Sequence, residues 1–70
     1  MKLDEKDREI IKLLSEGLTT KEIGLKVFLS KKTVEFRIAK MREQIGAINT
    51  TNLIFLYHSI FSISSESSNN

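Results

Sequence analysis

The 70-residue sequence contains no cysteine, no proline and no tryptophan, and it has only three glycines. Without cysteine, neither a disulfide nor a thiolate metal site can stabilise the fold. No apolar run approaches the roughly 20 residues that a membrane-spanning helix needs, and the charged N-terminus lacks the apolar segment of a signal peptide. We therefore expect one small cytoplasmic domain with a single modest core.

The sequence also lacks the residue combinations that common active sites require. We find no nucleophile–base pair, no glycine-rich phosphate loop and no carboxylate pair in a plausible cleft. The single histidine, His58, has no cysteine, aspartate or second histidine at ligand spacing on its helix. We therefore expect a protein that is not an enzyme and that needs neither a metal nor another cofactor.

Positive charge is concentrated in the middle of the chain. The formal net charge is only +2, but residues 19–45 carry seven Lys/Arg against three Asp/Glu. Residues 1–18 carry four Lys/Arg against five Asp/Glu. A basic cluster of this kind favours a surface that meets phosphates, although an ordinary solvated helical face would have a similar composition.

Two helix starts lie close together inside this basic segment. Thr19 and Glu22 have the spacing of a capping box, which predicts a short helix over about residues 20–27. Ser30 is a good N-cap for a longer helix that ends near Gly46. Its apolar residues form one stripe: Val34, Ile38, Met41 and Ile45. A short helix, a tight turn and a longer helix with a polar outer face indicate a helix-turn-helix.

The short helix contains a glycine, which needs a reason because it costs about 1 kcal/mol relative to alanine inside a helix. We expect Gly24 to allow another helix to approach closely. Ile23 and Val27 are expected in the core, with Leu25 as a further candidate.

One helix precedes this unit and another follows it. Asp4 can cap a first helix over about residues 5–16, with Gly17 after its end. Ile10, Leu13 and Leu14 should face the core from it, with Ile11 at the edge of that face. We assign this helix a scaffolding role.

The fourth helix, running to about Ser62, is apolar nearly all round, so a short domain cannot easily bury every side of it. One face is predicted to carry Leu53, Leu56, Tyr57 and Ile60. The candidate residues for self-association are Ile54, Phe55, His58 and Phe61. The alternative is that the helix inserts more deeply into the core. Residues 64–70 read as a disordered polar tail after a domain over residues 1–63.

Several short motifs resemble those of the LuxR/GerE-type helix-turn-helix domain family. They are Arg8-Glu9, Glu16-Gly17-Leu18, Lys21-Glu22-Ile23 and Ser30-x-x-Thr33-Val34. The resemblance covers residues 3–61. It implies an all-α domain of four helices, in which helices two and three form the helix-turn-helix and helix four is the dimerisation helix.

The resemblance also implies positions for DNA contacts. Phosphate contacts fall on Lys31, Lys32, Thr33 and Arg37, to which the residue pattern adds Lys21 and Lys40. Base readout falls on Glu35, Phe36, Ala39 and Lys40. The chain departs from the family pattern at four places: Gly24 replaces the usual alanine, Glu35 a frequent basic residue, Arg37 the usual histidine and Gln44-Ile45 the usual Lys-Leu.

These observations predict a bacterial transcriptional regulator, or its DNA-binding domain, that binds duplex DNA as a homodimer. The recognition helix, about Lys31–Ile45, would enter the major groove. The alternative is a protein-interaction module or antagonist derived from a helix-turn-helix. It would pair with a partner regulator and bind DNA weakly or not at all. Glu35, Glu43 and the missing lysine at Gln44 motivate this alternative.

Overall fold

The computed structural model describes residues 3–69, with side chains described for residues 3–60. Its elements are α1 (Glu5–Ser15), α2 (Thr20–Val27), α3 (Lys31–Ile45) and α4 (Thr50–Asn69). None of the described residues forms a strand, so the predicted all-α, four-helix fold is confirmed. Helix α4 continues past the end predicted near Ser62 and includes residues 64–69 of the predicted tail. Phe61 lies outside the residues whose side chains are described, so its interface role remains a prediction. Over the described chain, no helix is long and apolar enough to cross a membrane.

Each helix begins at a short polar side chain that accepts a hydrogen bond from the first turn, which supplies a partner for a free backbone N–H. The N–H groups of Asp7, Glu22, Thr33 and Asn52 donate to Asp4, Thr19, Ser30 and Asn49 respectively, over 2.8, 3.2, 3.1 and 2.7 Å. At the first two starts the capping box is reciprocal. The hydrogen bond from the Thr19 N–H holds the pKa of the Glu22 carboxyl below its ordinary value.

All four helices contribute side chains to one apolar core, so each helix is held by packing against the others. The buried residues are Leu3, Ile10, Ile11, Ile23, Val27, Val34, Ile38, Met41 and Leu53. The predicted stripe of α3 is confirmed, with Ile45 partly buried at its end. Two expectations were wrong. Ile11 is fully buried rather than at an edge, and Leu25 is 73% exposed because it lies on the outer side of α2.

The turn between α2 and α3 is so close to Gly24 that a side chain there would require the backbone to shift. Phe28 ends α2 in the left-handed conformation, with φ 61°, and the Leu29 N–H donates to the Gly24 carbonyl over 3.0 Å. A Cβ built at Gly24 would lie 2.5 Å from the Leu29 carbonyl oxygen. The close approach predicted for Gly24 therefore exists, but its cause is the turn of the helix-turn-helix and not a neighbouring helix.

Candidate nucleic-acid interface

The predicted base-readout residues share the exposed face of α3, opposite its buried stripe. Glu35, Phe36, Ala39 and Lys40 are all exposed, and Lys32 and Glu43 extend the same face towards its two ends. Because residues three or four apart on a helix are neighbours, these side chains form one continuous surface. The buried stripe holds that surface away from the core, as a recognition helix requires.

The centre of this face is an aromatic ring beside a cation. The Lys40 ammonium lies 5.7 Å from the centroid of the Phe36 ring, which is within the range of a cation–π contact. Phe36 is 62% exposed, so most of its apolar area is available to a ligand. The pair therefore offers an apolar contact and a positive charge side by side.

Near the start of α3, a lysine lies close to a carboxylate. The Lys31 ammonium and the Glu35 carboxylate are 3.9 Å apart, and both side chains are at least half exposed. Exposed pairs of this kind are worth little and are easily exchanged for other partners. Lys31 therefore stays accessible, but Glu35 reduces the local positive potential.

The position predicted as a phosphate contact at Arg37 differs from the others, because its guanidinium is already bonded within the protein. Arg37 Nη1 donates to both carboxylate oxygens of Asp4, over 3.1 and 3.0 Å, and to Asp7 over 3.0 Å. The Arg37 side chain is only 30% exposed. The Asp7 N–H and the Arg37 guanidinium hold the pKa of Asp4 below its ordinary value, while the two carboxylates raise the pKa of Arg37.

The second arginine of α3 is also bonded within the protein. Arg42 Nη2 donates to the Ile48 carbonyl over 2.8 Å and so connects α3 to the loop before α4. Its Nε is buried and has no hydrogen-bond partner among the described residues. Arg42 therefore contributes to the basic count of residues 19–45 without contributing to the exposed face of α3.

Two further lysines lie on α2, the other helix of the motif. Lys21 and Lys26 are both exposed. Lys21 is in the first turn of α2, where unpaired backbone N–H groups and the helix dipole also favour an anion. The helix-turn-helix thus presents cations from both of its helices.

The described interface candidates of α4, which are Ile54, Phe55 and His58, are only partly covered by the core. Leu53 is buried, and Tyr57 packs against the core with its ring edge-on to His58, at 5.6 Å between centroids. Phe55 is 65% exposed, His58 is exposed and Ile54 is half-buried. The described part of α4 therefore keeps apolar side chains at its surface, and the alternative of a deeply inserted helix is not what the structure has.

Two features of this region were missed by the sequence interpretation. The first is the contact of the first turn of α1 with Arg37, since no sequence spacing signals that Asp4 and Asp7 meet a residue 30 or more positions away. The second is Phe28, which is 91% exposed although it is a large apolar residue. Its position two residues before the N-cap Ser30 gives no sign of the left-handed conformation that turns it outward.

The comparison with protein families agrees with this geometry. The model of "Bacterial regulatory proteins, luxR family" matches residues 1–57, which include α1, α2 and α3 in full. The chain belongs to the luxR family. It is therefore a helix-turn-helix domain of a family of DNA-binding transcription regulators.

Two curated relatives are similar to this luxR-family domain over 44 residues. The DNA-binding transcriptional activator DevR/DosR of Mycobacterium tuberculosis (strain ATCC 25618 / H37Rv) is 39% identical over 63% of this chain and 20% of its own length. The spore germination protein GerE of Bacillus subtilis (strain 168) is 39% identical over 63% of this chain and 60% of its own length. The matched segment thus spans less than two thirds of either relative. No solved structure matches the chain significantly.

Proposed function

We propose that this luxR-family domain binds duplex DNA as a homodimer and regulates transcription, with α3 as the helix that enters the major groove. The observation that carries the proposal is the exposed face of α3, where Lys32, Phe36 and Lys40 lie opposite the buried stripe. DevR/DosR, which is named a DNA-binding transcriptional activator, supports it. We further infer a binding module of the bacterial cytoplasm, where its duplex partner lies, and not an enzyme.

Phosphate contacts come from cations that have no strong partner within the protein. Lys21, Lys32 and Lys40 fill this role, and Lys31 joins them once it leaves Glu35. The Thr33 hydroxyl adds a neutral contact at the start of α3. These contacts set the affinity and its salt dependence, and they carry no sequence information.

Base readout comes from the centre of the exposed face. Phe36 and Ala39 offer apolar contacts for a thymine methyl group, while Lys40 suits the acceptor atoms of guanine. Glu35 can accept a hydrogen bond from the cytosine amino group. Because these side chains suit different bases, the face with a lysine beside an aromatic ring favours a DNA site of mixed sequence over a run of one base.

Self-association through α4 would relate two copies of the domain by a two-fold axis. The two DNA half-sites bound by this luxR-family dimer would have the same symmetry. Ile54, Phe55 and His58 form the described part of this surface, and Phe61 extends it along the sequence. Two domains related by a two-fold axis would contact half-sites about one helical turn apart.

The direct test is fluorescence anisotropy with a random-sequence duplex, between about 50 and 200 mM salt. We expect log affinity to fall linearly with log salt, with a slope worth several phosphates. Lys32→Ala should weaken binding to every sequence equally and reduce the slope by about 0.9. Lys12→Ala is the matched control, because Lys12 lies beside α4 and away from the face of α3. A change of sequence preference in Lys32→Ala would contradict its assignment as a phosphate contact.

A second candidate function follows from the carboxylate of Glu35 on the exposed face and from the internal bonds of Arg37. Both reduce the positive charge available to DNA, and they favour an interaction module that pairs α4 with a partner regulator. Phe55→Asp, with Thr51→Asp as an exposed control on the same helix, should break self-association under either hypothesis. Only for a dimeric DNA binder should it also weaken DNA binding. A folded protein that binds no duplex at the lowest salt would favour the interaction module.

A further inference from the structure

We propose that Arg37 is a positioning residue for α3 and not a phosphate ligand; this inference rests on the proposed DNA binding. Its guanidinium fixes the recognition helix to the first turn of α1, and the fixed orientation is what allows α3 to discriminate between sequences.

The geometry around Arg37 commits one terminal nitrogen of its guanidinium to contacts within the protein. Its Nη1 is shared by Asp4 and Asp7, at 3.0 to 3.1 Å from three carboxylate oxygens. The Asp7 side chain is only 16% exposed, so this contact is held inside the protein. A phosphate that took Arg37 would leave two carboxylates without their cation beside a polyanion, which is unfavourable.

The same two carboxylates are the capping box of α1. Asp4 Oδ1 accepts from the Asp7 N–H over 2.8 Å, and Asp7 Oδ2 accepts from the Asp4 N–H over 3.3 Å. The cap fixes the position of both side chains before they meet Arg37. A rigid pair of acceptors is what allows an ion pair to define an orientation instead of merely neutralising a charge.

The first turn of α1 also holds the other helix of the motif. Lys6 Nζ donates to the Val27 carbonyl over 3.0 Å, at the C-terminal end of α2, where a cation also suits the helix dipole. Residues 4–7 therefore contact α2 through Lys6 and α3 through Arg37. These two contacts lie on either side of the turn and constrain the angle between the two helices.

The positioning reaches the base-facing residues because they share a cleft with the ion pair. Asp4, Asp7 and Arg37 line a cleft of about 260 Å³ together with Phe36, Lys40 and Gln44. Phe36 and Lys40 are the centre of the proposed readout face. A small rotation of α3 after loss of the ion pair would misplace both of them relative to the base edges.

The experiment compares two ratios in Arg37→Gln and Arg37→Lys. A duplex is first selected from a random pool by the wild-type protein. Anisotropy then gives the discrimination ratio, which is the Kd for random DNA over the Kd for the selected duplex, and the slope of log affinity against log salt. Lys32→Gln is the matched control. Thermal unfolding by circular dichroism establishes that each variant is folded at the temperature of the binding measurement.

We expect both Arg37 variants to lower the discrimination ratio roughly fivefold or more, about what one lost base contact costs, while the salt slope stays unchanged. Arg37→Lys should also lower the discrimination ratio, because the lysine ammonium ends one bond short of the position of Nη1 and does not reach the two carboxylates. Lys32→Gln should show the opposite pattern, with an unchanged ratio and a slope reduced by about 0.9. Asp7→Asn, which keeps a side-chain acceptor for the cap, should also lower the ratio.

Three results would overturn the inference. The first is a slope lowered by Arg37→Gln and restored by Arg37→Lys with an unchanged ratio, which is the behaviour of a phosphate ligand. The second is a higher affinity and an unchanged ratio in Asp7→Asn, which would make the carboxylates inhibitory rather than positioning. Both leave the proposed function intact. The third, no binding by the wild-type protein at any salt concentration, removes the proposed function and this inference together.

Discussion

The inner edge of α3 carries its two arginines, and its outer face carries its lysines. Arg37 and Arg42 donate to other parts of the protein, whereas Lys32 and Lys40 are exposed. The division follows the chemistry of the two side chains. A guanidinium is weakly hydrated and has several fixed donors, which suits a contact within the protein, while a hydrated ammonium suits an exchangeable phosphate contact.

The difference between the inner edge and the outer face shows why a count of Lys and Arg residues overestimates the positive charge that a surface offers to a nucleic acid. Residues 19–45 carry seven Lys/Arg, but two of these are bonded internally. The affinity of the domain for DNA should therefore depend on its lysines, and its stability on its arginines. Each prediction below either breaks this division or measures it more sharply.

The largest effect is expected from Gly24→Ala, which would disturb the angle that places the two edges. The new Cβ would meet the Leu29 carbonyl oxygen, a backbone atom that cannot rotate away. Overpacking of this kind costs about 1–3 kcal/mol, partly offset by about 1 kcal/mol of helix propensity. We expect the free energy of unfolding, measured with urea, to fall by up to about 2 kcal/mol.

Lys26→Ala is the control for this substitution, since it changes an exposed position of the same helix and should stay within about 0.5 kcal/mol of the wild type. A Gly24→Ala variant more stable than the wild type would mean that the turn opens easily. In that case the contacts of residues 4–7 would be needed to hold the angle between α2 and α3.

The next effect is expected from Arg42→Ala, which removes an arginine of the inner edge. Loss of the hydrogen bond to the Ile48 carbonyl and of the packed side-chain stem should lower the free energy of unfolding by about 1 kcal/mol. Lys40→Ala, from the outer face, should change it by less than about 0.5 kcal/mol. Equal losses in the two variants, measured by urea denaturation, would contradict the division between the two edges.

The local rules of helix formation made most of the fold predictable from the sequence. The caps at Asp4, Thr19 and Ser30 and the stripe of α3 depend on residues three or four apart, so their signals are complete within a short window. The exposed face of α3 is predictable in the same way, because it consists of the residues that are left at the surface when the apolar stripe is buried. Family membership followed from short motifs of the same kind.

The ion pair of Arg37 could not be predicted in this way. Its partners are 30 and 33 positions away, and only the packing of α1 against α3 brings them together. The exposed position of Phe28 was missed for a related reason, since its direction depends on a single left-handed backbone conformation. The sequence therefore predicted which residues could face DNA, and tertiary structure decided which of them are free to do so.

A smaller effect concerns pH, through carboxyls whose pKa is lowered in the folded protein. The Asp7 N–H and Arg37 lower the pKa of Asp4, and the Thr19 N–H lowers that of Glu22. A carboxyl whose pKa is lowered on folding stabilises the folded protein at pH values above its ordinary pKa. This stabilisation is lost as the pH falls through the pKa of the folded state. We expect urea midpoints to be flat near neutral pH and to fall below about pH 4.

Asp4→Asn should flatten part of this pH dependence, because asparagine does not titrate and keeps a side-chain acceptor for the cap. Ser30 provides the comparison, since it caps α3 without a titratable group and its replacement by alanine should shift the midpoint equally at every pH. A pH profile in Asp4→Asn identical to that of the wild type would show that the Asp4 carboxylate does not stabilise the inner edge.

The smallest effect on stability is expected from Glu35→Gln, on the outer face. The Lys31–Glu35 pair is exposed and 3.9 Å apart, so its loss should change the free energy of unfolding by less than about 0.5 kcal/mol. DNA binding should respond more strongly, because the substitution removes a negative charge from the outer face and leaves Lys31 for a phosphate. We expect higher affinity for random-sequence duplexes and a salt slope steeper by up to about 0.9. An unchanged slope would mean that Lys31 does not reach the backbone, and the lysines that meet DNA would then be those farther along α3 and on α2.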